Sequence, residues 1–175
     1  MKSIPFNVAQ LLKERTGATR TYTIREDIEN LDSEIVAVDA LSGQVRIMRL
    51  IEGVLVTGVL NTSLGQVCDR CLTPFVQAVE IELEDEFRAS IDIVSGASLP
   101  IAGEEEGNII DDHHILDLAE VVRQRVLLSQ PPHPLCRTDC QGLCPTCGSN
   151  LNEGSCDCNE PVIDPRWAAL RELLH

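Results

Sequence analysis

The sequence predicts an α+β fold, in which an antiparallel β-rich domain with flanking helices is followed by a cysteine-rich tail. Three observations carry this. Between residues 34 and 88 the chain is a succession of Val-, Ile- and Thr-rich segments separated by short turn signals. Helical periodicity is confined to the segments on either side of that run. Beyond Pro131 and Pro132 the apolar periodicity stops, and six of the eight cysteines follow. The expected division is therefore residues 1–130 for the β-rich domain and residues 131–175 for the tail with a short C-terminal helix. A chain of 175 residues with 43% hydrophobic composition can bury a core, yet it holds only three Phe, one Tyr and one Trp. That core must be built mostly from Val, Ile and Leu.

The elements follow in order. Asn7 can cap a short helix that puts Val8, Leu11 and Leu12 on one face and ends near Gly17. Residues 19–25 alternate Thr and Tyr with charged positions, as a strand does. Segments 34–40, 44–51, 54–61, 64–68 and 74–88 are the expected strands, punctuated by Ser42-Gly43, Glu52-Gly53, Asn61 and Pro74. The alternation is clearest where Val79, Ile81 and Leu83 interleave with Glu80, Glu82 and Glu84, which gives a half-buried strand with an acidic solvent face. Residues 95–108 have the composition of a loop. A helix is expected over 115–129, opened by Asp117 with Glu120 three residues on as a capping pair. Its apolar stripe is Leu118, Ala119, Val122, Val126 and Leu127, and Pro131 and Pro132 stop it. Asp164-Pro165 opens a last short helix with Trp167, Leu170 and Leu174 facing inward.

Charge narrows the function classes. There are 28 acidic against 14 basic residues, a net charge of −14, with most of the excess between residues 51 and 130. A duplex-binding module of the basic kind is disfavoured, because such affinity rests on Lys and Arg neutralising phosphates. The only lysines are Lys2 and Lys13, so there is no polybasic membrane patch. The longest uncharged run, Gly53 to Cys68, is 16 residues broken by Thr, Asn, Ser and Gly, short of a spanning helix. The N-terminal stretch lacks the apolar block of a secretory signal. A cytoplasmic protein with no membrane contact is expected.

Eight cysteines in a reducing compartment point to metal or redox chemistry rather than disulfides. Cys144-Pro145-Thr146-Cys147-Gly148 has the form of a zinc knuckle: two thiolates enter a tight turn whose amides stabilise sulfur charge, and the glycine supplies a positive φ. Cys156 and Cys158 are suitable as its second pair. Cys68-Asp69-Arg70-Cys71 falls between two strands and has two readings. It can be a second knuckle, or a dithiol whose pKa Arg70 lowers; the redox motif, however, belongs at a helix start in a βαβ setting that is missing here. Since Cys136 and Cys140 lack partners within the tail, a second site of Cys68, Cys71, Cys136 and Cys140 is inferred, which would pin the tail to the β domain. A single tail site with spare thiols is the alternative. Four thiolates on zinc leave no open position for water, so this metal argues against hydrolysis. His113 and His114 in an acidic stretch, His133 between prolines, and the glutamate run read more simply as solvated side chains.

The residues Val67-Cys68-Asp69-Arg70-Cys71-Leu72, the acidic strand after them, Asp117-Leu118 opening a helix that closes on Leu127-Leu128-Ser129-Gln130-Pro131, the run from Cys136 through Cys140, Gly142-Leu143-Cys144, Cys147-Gly148 and Asn150-Leu151-Asn152, and the closing Asp164-Pro165-Arg166 form a pattern. It resembles the YceD family of large ribosomal RNA subunit accumulation proteins, most specifically over residues 66–76 and 115–174. The resemblance implies a non-enzymatic bacterial or plastid factor needed for large-subunit ribosomal RNA to be processed or to accumulate. It implies that the metal is scaffolding, since some members lack the tail cysteines. The acidic composition makes RNA contact indirect or weak. The partner expected is a large ribosomal subunit precursor or a basic ribosomal protein, met by the acidic strand, with a docking face drawn from Arg15, Arg20, Arg25, Arg46, Arg49, Arg123, Arg125 and Arg137. Two rival classes fit the composition: a zinc-containing adaptor for protein interaction outside ribosome assembly, and a dithiol redox protein.

Overall fold

The computed structural model describes residues 3–100 and 108–158. The helix expected from Asp164 lies outside the described residues, as do Glu104, Glu105 and Glu106. The elements are β1 (Pro5–Asn7), α1 (Ala9–Leu12), β2 (Thr19–Glu26), β3 (Leu41–Arg49), β4 (Gly53–Val67), β5 (Pro74–Ala89), β6 (Ile109–Ile110), β7 (Ile115–Asp117) and α2 (Ala119–Ser129). The chain divides into two compact units. One is Met1–Gln66 with Phe75–Pro132; the other is Val67–Pro74 with the chain from His133 onward.

The first unit is built on a sheet of order β2-β3-β4-β5-β6, with β1 and β7 forming a separate antiparallel pair. β2, β3 and β4 are antiparallel neighbours in one register: Tyr22 faces Val45, and Val45 faces Gly58. The inner face buries Ile24, Val45, Ile47, Val54, Val56 and Leu60, and β5 adds Val79, Ile81, Leu83 and Phe87. Leu11 and Leu12 of α1 and Val121, Val122 and Val126 of α2 complete the same apolar cluster. Phe6 meets the edge of Tyr22 with ring centroids 5.2 Å apart. The core is aliphatic, as the composition requires. Along β5 the glutamates at 80, 82 and 84 are exposed while the residues between them are buried.

Several elements differ from the sequence expectation, each for a physical reason. The turn placed at Asn61 is absent, and 54–61 with 64–67 lie on one strand, β4, which stops before Cys68. Asn61 keeps a strand partner in Ser42. The far half of β4 is held by residues 36–39 instead: Val38 N–H donates to the Ser63 carbonyl at 2.8 Å, Gly65 N–H to Val36 at 2.7 Å, and Thr62 Oγ1 to the Asp39 carbonyl at 2.8 Å. The expected strand at 34–40 is accordingly reduced to a single bridge, Ala37 to Leu64. The helix expected from 115 begins at Ala119, because Ile115–Asp117 is recruited as β7 against β1. Asp117 does receive the Ala119 N–H at 2.9 Å, and it also binds Ile4 N–H at 2.8 Å. Glu120 does not reciprocate; its carboxylate takes Arg123 and Gln124. One pair in the sheet, β5 with β6, is parallel. Among the described residues no helix is long and apolar enough to cross a membrane.

Candidate metal centre

β4 and β5 are joined by residues 68–73, and this loop belongs to the second unit. The turn closes on itself. Cys68 N–H donates to the Thr73 carbonyl at 3.0 Å, and Leu72 N–H donates back to the Cys68 carbonyl at 2.9 Å. Leu72 sits in the left-handed region at φ 57°. Residues 144–149 make the same turn: Cys144 N–H to Ser149 at 2.8 Å, Gly148 N–H to Cys144 at 2.9 Å, and Gly148 at φ 75°. The chain therefore carries one knuckle twice, as Cys-x-x-Cys, a left-handed residue, then a hydroxyl residue. In the sequence the likeness shows only as the two Cys-x-x-Cys spacings, because Leu72 stands where the second copy has glycine.

Each knuckle meets a second cysteine pair. Cys68 Sγ lies 3.8 Å from Cys140 Sγ, and Cys71 Sγ lies 3.7 Å from Cys136 Sγ. The sulfurs of Cys68, Cys71, Cys136 and Cys140 all fall within 4.8 Å of one another, and so do those of Cys144, Cys147, Cys156 and Cys158. None of the eight is in a disulfide. Each set can hold a metal ion, and the donor chemistry can be tested for fit. Four sulfurs at about 2.3 Å from a tetrahedral zinc stand about 3.8 Å apart. The two separations in the first tetrad match that edge, so these residues fit zinc.

The electrostatics of the two tetrads run in parallel. The Cys68 thiol is brought down to about 6, first by the Cys136 backbone N–H and then, against burial, by the amides of Cys71 and Arg70. Cys144 is likewise brought down to about 6 by the amides of Cys147 and Thr146. Cys71 and Cys147 are lowered chiefly by the hydroxyls of Thr73 and Ser149, at 3.4 and 3.1 Å. Cys136, Cys156 and Cys158 move the other way. Burial and the neighbouring thiols push Cys136 up to about 12. The Cys147 thiol, then burial, push Cys158 up to about 12. Cys156 gains the Cys158 amide, yet Cys144 and burial outweigh it and its thiol is raised. Two sulfurs of each set are favoured as thiolates, whereas Cys136 in the first and Cys156 and Cys158 in the second resist joining them. A divalent cation among the four removes that conflict.

Residues to which the sequence reading gave no structural role at the sulfurs surround the first tetrad. Asn152 Nδ2 donates to Cys140 Sγ at 3.4 Å, and its Oδ1 accepts from Gln141 N–H at 2.9 Å. Asn150 Nδ2 reaches Thr73 Oγ1 at 3.3 Å. The Arg70 guanidinium donates to the Cys140 carbonyl at 3.1 Å, so its side chain braces the loop while only its backbone amide acts on Cys68. Asp69 binds the Pro134 carbonyl through its N–H at 2.9 Å and His133 through its carboxylate at 2.9 Å. His133 is thus engaged away from the sulfurs. The sequence signal for the asparagines was their place in the family pattern, just after the second knuckle.

The remaining candidates fare differently. Asp111, Asp112 and His113 cluster but are all exposed. Several of the arginines expected to form a docking face are spent within the fold. Arg20 pairs with Glu14, Arg123 with Asp32 and Glu120, Arg125 with Asp85, and Arg137 with Asp139. Arg49 donates to the Leu12, Leu50 and Gly53 carbonyls. The acidic face of β5 stays open to solvent.

Among the described residues, a mixed, mostly antiparallel sheet with two helices, and a second unit carrying two all-cysteine clusters, define the class of protein. The family profile described as large ribosomal RNA subunit accumulation protein YceD matches residues 56–174, and the chain belongs to that family. An uncharacterized protein of Mycobacterium tuberculosis is 37% identical over 144 residues, covering 81% of this chain and 67% of its own length. A protein of Arabidopsis thaliana named large ribosomal RNA subunit accumulation protein YCED homolog 1, chloroplastic, is 33% identical over 58 residues, 33% of this chain and 18% of its own. Its namesake in Zea mays is 29% identical over 125 residues, covering 58% of this chain and 42% of its own. No solved structure matches.

Proposed function

We propose that this chain is a non-enzymatic, cytoplasmic factor of ribosome biogenesis that supports the processing or accumulation of large-subunit ribosomal RNA. In this reading its eight cysteines hold two structural zinc ions. Membership of the family whose plant members are named for large-subunit ribosomal RNA accumulation carries the first statement. The two closed sets of four thiols support the second. A closed tetrathiolate leaves no position for substrate, which favours a scaffold over a catalyst. It also favours a scaffold over the dithiol redox reading of Cys68 and Cys71, since both thiols have sulfur partners from the tail.

Contact with the ribosomal precursor runs through protein more than through RNA. A net charge of −14 repels phosphates, and four thiolates around each zinc ion would add negative charge. The exposed glutamates of β5 fit a basic ribosomal protein instead. A deletion strain tests the reading: mature large-subunit RNA should fall relative to small-subunit RNA, and an unchanged ratio sinks the role. Binding to a basic ribosomal protein should weaken with salt, since screening is effective beyond roughly 8 Å at physiological ionic strength. Replacing Glu80, Glu82 and Glu84 with Gln should weaken it further.

A further inference from the structure

The two cysteine tetrads share a turn but not an environment. In the first, Cys68, Cys71 and Cys140 are 0%, 5% and 4% exposed and Cys136 is half-buried. In the second only Cys144 is buried, Cys156 is half-buried, and Cys147 and Cys158 are exposed. Backbone amides and a hydroxyl serve both sets, and the hydrogen-bond shells differ at one sulfur: among the described residues only the first set has a side-chain amide, that of Asn152, on a thiol. The first set has three backbone amides on Cys68, the Thr73 hydroxyl beside Cys71 and the Asn152 side chain on Cys140. Around the second, the amides serve Cys144 and Cys156 and the Ser149 hydroxyl serves Cys147.

A thiolate-bound zinc ion leaves when a competing ligand reaches the metal and displaces the sulfurs one at a time. Access and the donors that hold each sulfur in place govern how easily this happens, and outer-shell donors are worth about 10–100-fold in metal affinity. We infer that the two sites are unequal: the Cys68, Cys71, Cys136 and Cys140 site is a permanent structural zinc site, and the Cys144, Cys147, Cys156 and Cys158 site is an exchangeable one. The second yields its ion to chelators of the thiolate or aminocarboxylate class while the first keeps its own. This rests on the proposal that both tetrads hold zinc.

The test uses the full-length protein purified without added metal, challenged with excess EDTA while bound zinc is counted by elemental analysis over time. Two phases of one equivalent each are expected, separated by about tenfold or more in rate. Alkylation with a maleimide after the first phase, mapped by mass spectrometry, should label Cys144, Cys147, Cys156 and Cys158 and spare the other four. Cys158→Ser should abolish the fast phase and leave the slow one. Loss of both equivalents in one phase, or early labelling of Cys68 or Cys71, overturns the inference while the zinc reading stands. Protein that carries no zinc and takes up none overturns the zinc reading, and the inference with it.

Discussion

The duplicated knuckle makes a prediction whose sign differs between its copies. Gly148 has φ 75°, and a Cβ added there would meet nothing within 4 Å. Gly148→Ala therefore isolates the conformational cost of a left-handed L-residue, about 1–2 kcal/mol. No steric term is added. The stiffer unfolded chain offsets about 0.4–1 kcal/mol of that, so if the remainder falls on the metal-bound turn, zinc affinity at the second site drops by up to roughly fifteenfold. At the equivalent position Leu72 already bears that cost at φ 57°, and it is 62% exposed, so removing its side chain sacrifices little burial. Leu72→Gly relieves about 1–2 kcal/mol. It also frees the unfolded chain, which returns about 0.4–1 kcal/mol of that. The net expectation is neutral to slightly tighter binding at the first site. Competition against a chromogenic zinc chelator reads both variants side by side. If Gly148→Ala binds zinc as tightly as the parent, or Leu72→Gly weakens the first site as much as Gly148→Ala weakens the second, the left-handed turn is not what shapes these sites.

Other expectations are more direct. Protein purified without added metal should carry two zinc ions per chain, with Cys68→Ser and Cys144→Ser each removing one; eight freely titrating thiols in the native protein would refute the metal reading. The zinc-loaded protein should not reduce insulin disulfides, and turnover near that of a thioredoxin control would put the redox reading first. Acid should weaken the first unit through Arg123, which holds Asp32 below the ordinary carboxylate range, after the Glu34 backbone amide, and Glu120 down at about 2. Their folded values lie below the unfolded ones, near 4, so the stabilisation is complete above that pH and lost as the pH falls toward about 2. Denaturation followed by the β-sheet circular dichroism signal should show an acid limb that flattens in Arg123→Met, and an unchanged limb would mean the pairs contribute nothing.

What could be read from the sequence divides along a physical line. Features fixed by near neighbours in the chain are legible. Val79, Ile81 and Leu83 announce a half-buried strand because period-two burial needs no knowledge of what lies opposite. The buried stripe of α2 is legible for the same reason. Features decided by a remote partner are not. Residues 115–117 look helical alone and become β7 only because Pro5–Asn7 lies beside them. Asn61 carries a turn signal that its pairing with Ser42 and the hold of residues 36–39 override. The parallel pairing of β6 rests on two residues, Ile109 and Ile110, too few to leave a pattern. The metal centre divides the same way. Thiols are rare and chemically committed, so eight of them in paired spacings mark the candidate ligands before any fold is known. Their supporting shell is made of common residues, Thr73, Ser149, Asn150 and Asn152, whose role exists only once the loops meet. Leu72 is the sharpest case. A leucine carries no signal for a left-handed backbone, and only the hydrogen bonds that close the turn around Cys68 identify it as the counterpart of Gly148. The ligands are thus visible from chemistry, whereas what makes one tetrad differ from the other, burial and outer-shell donors, is a property of the folded second unit alone.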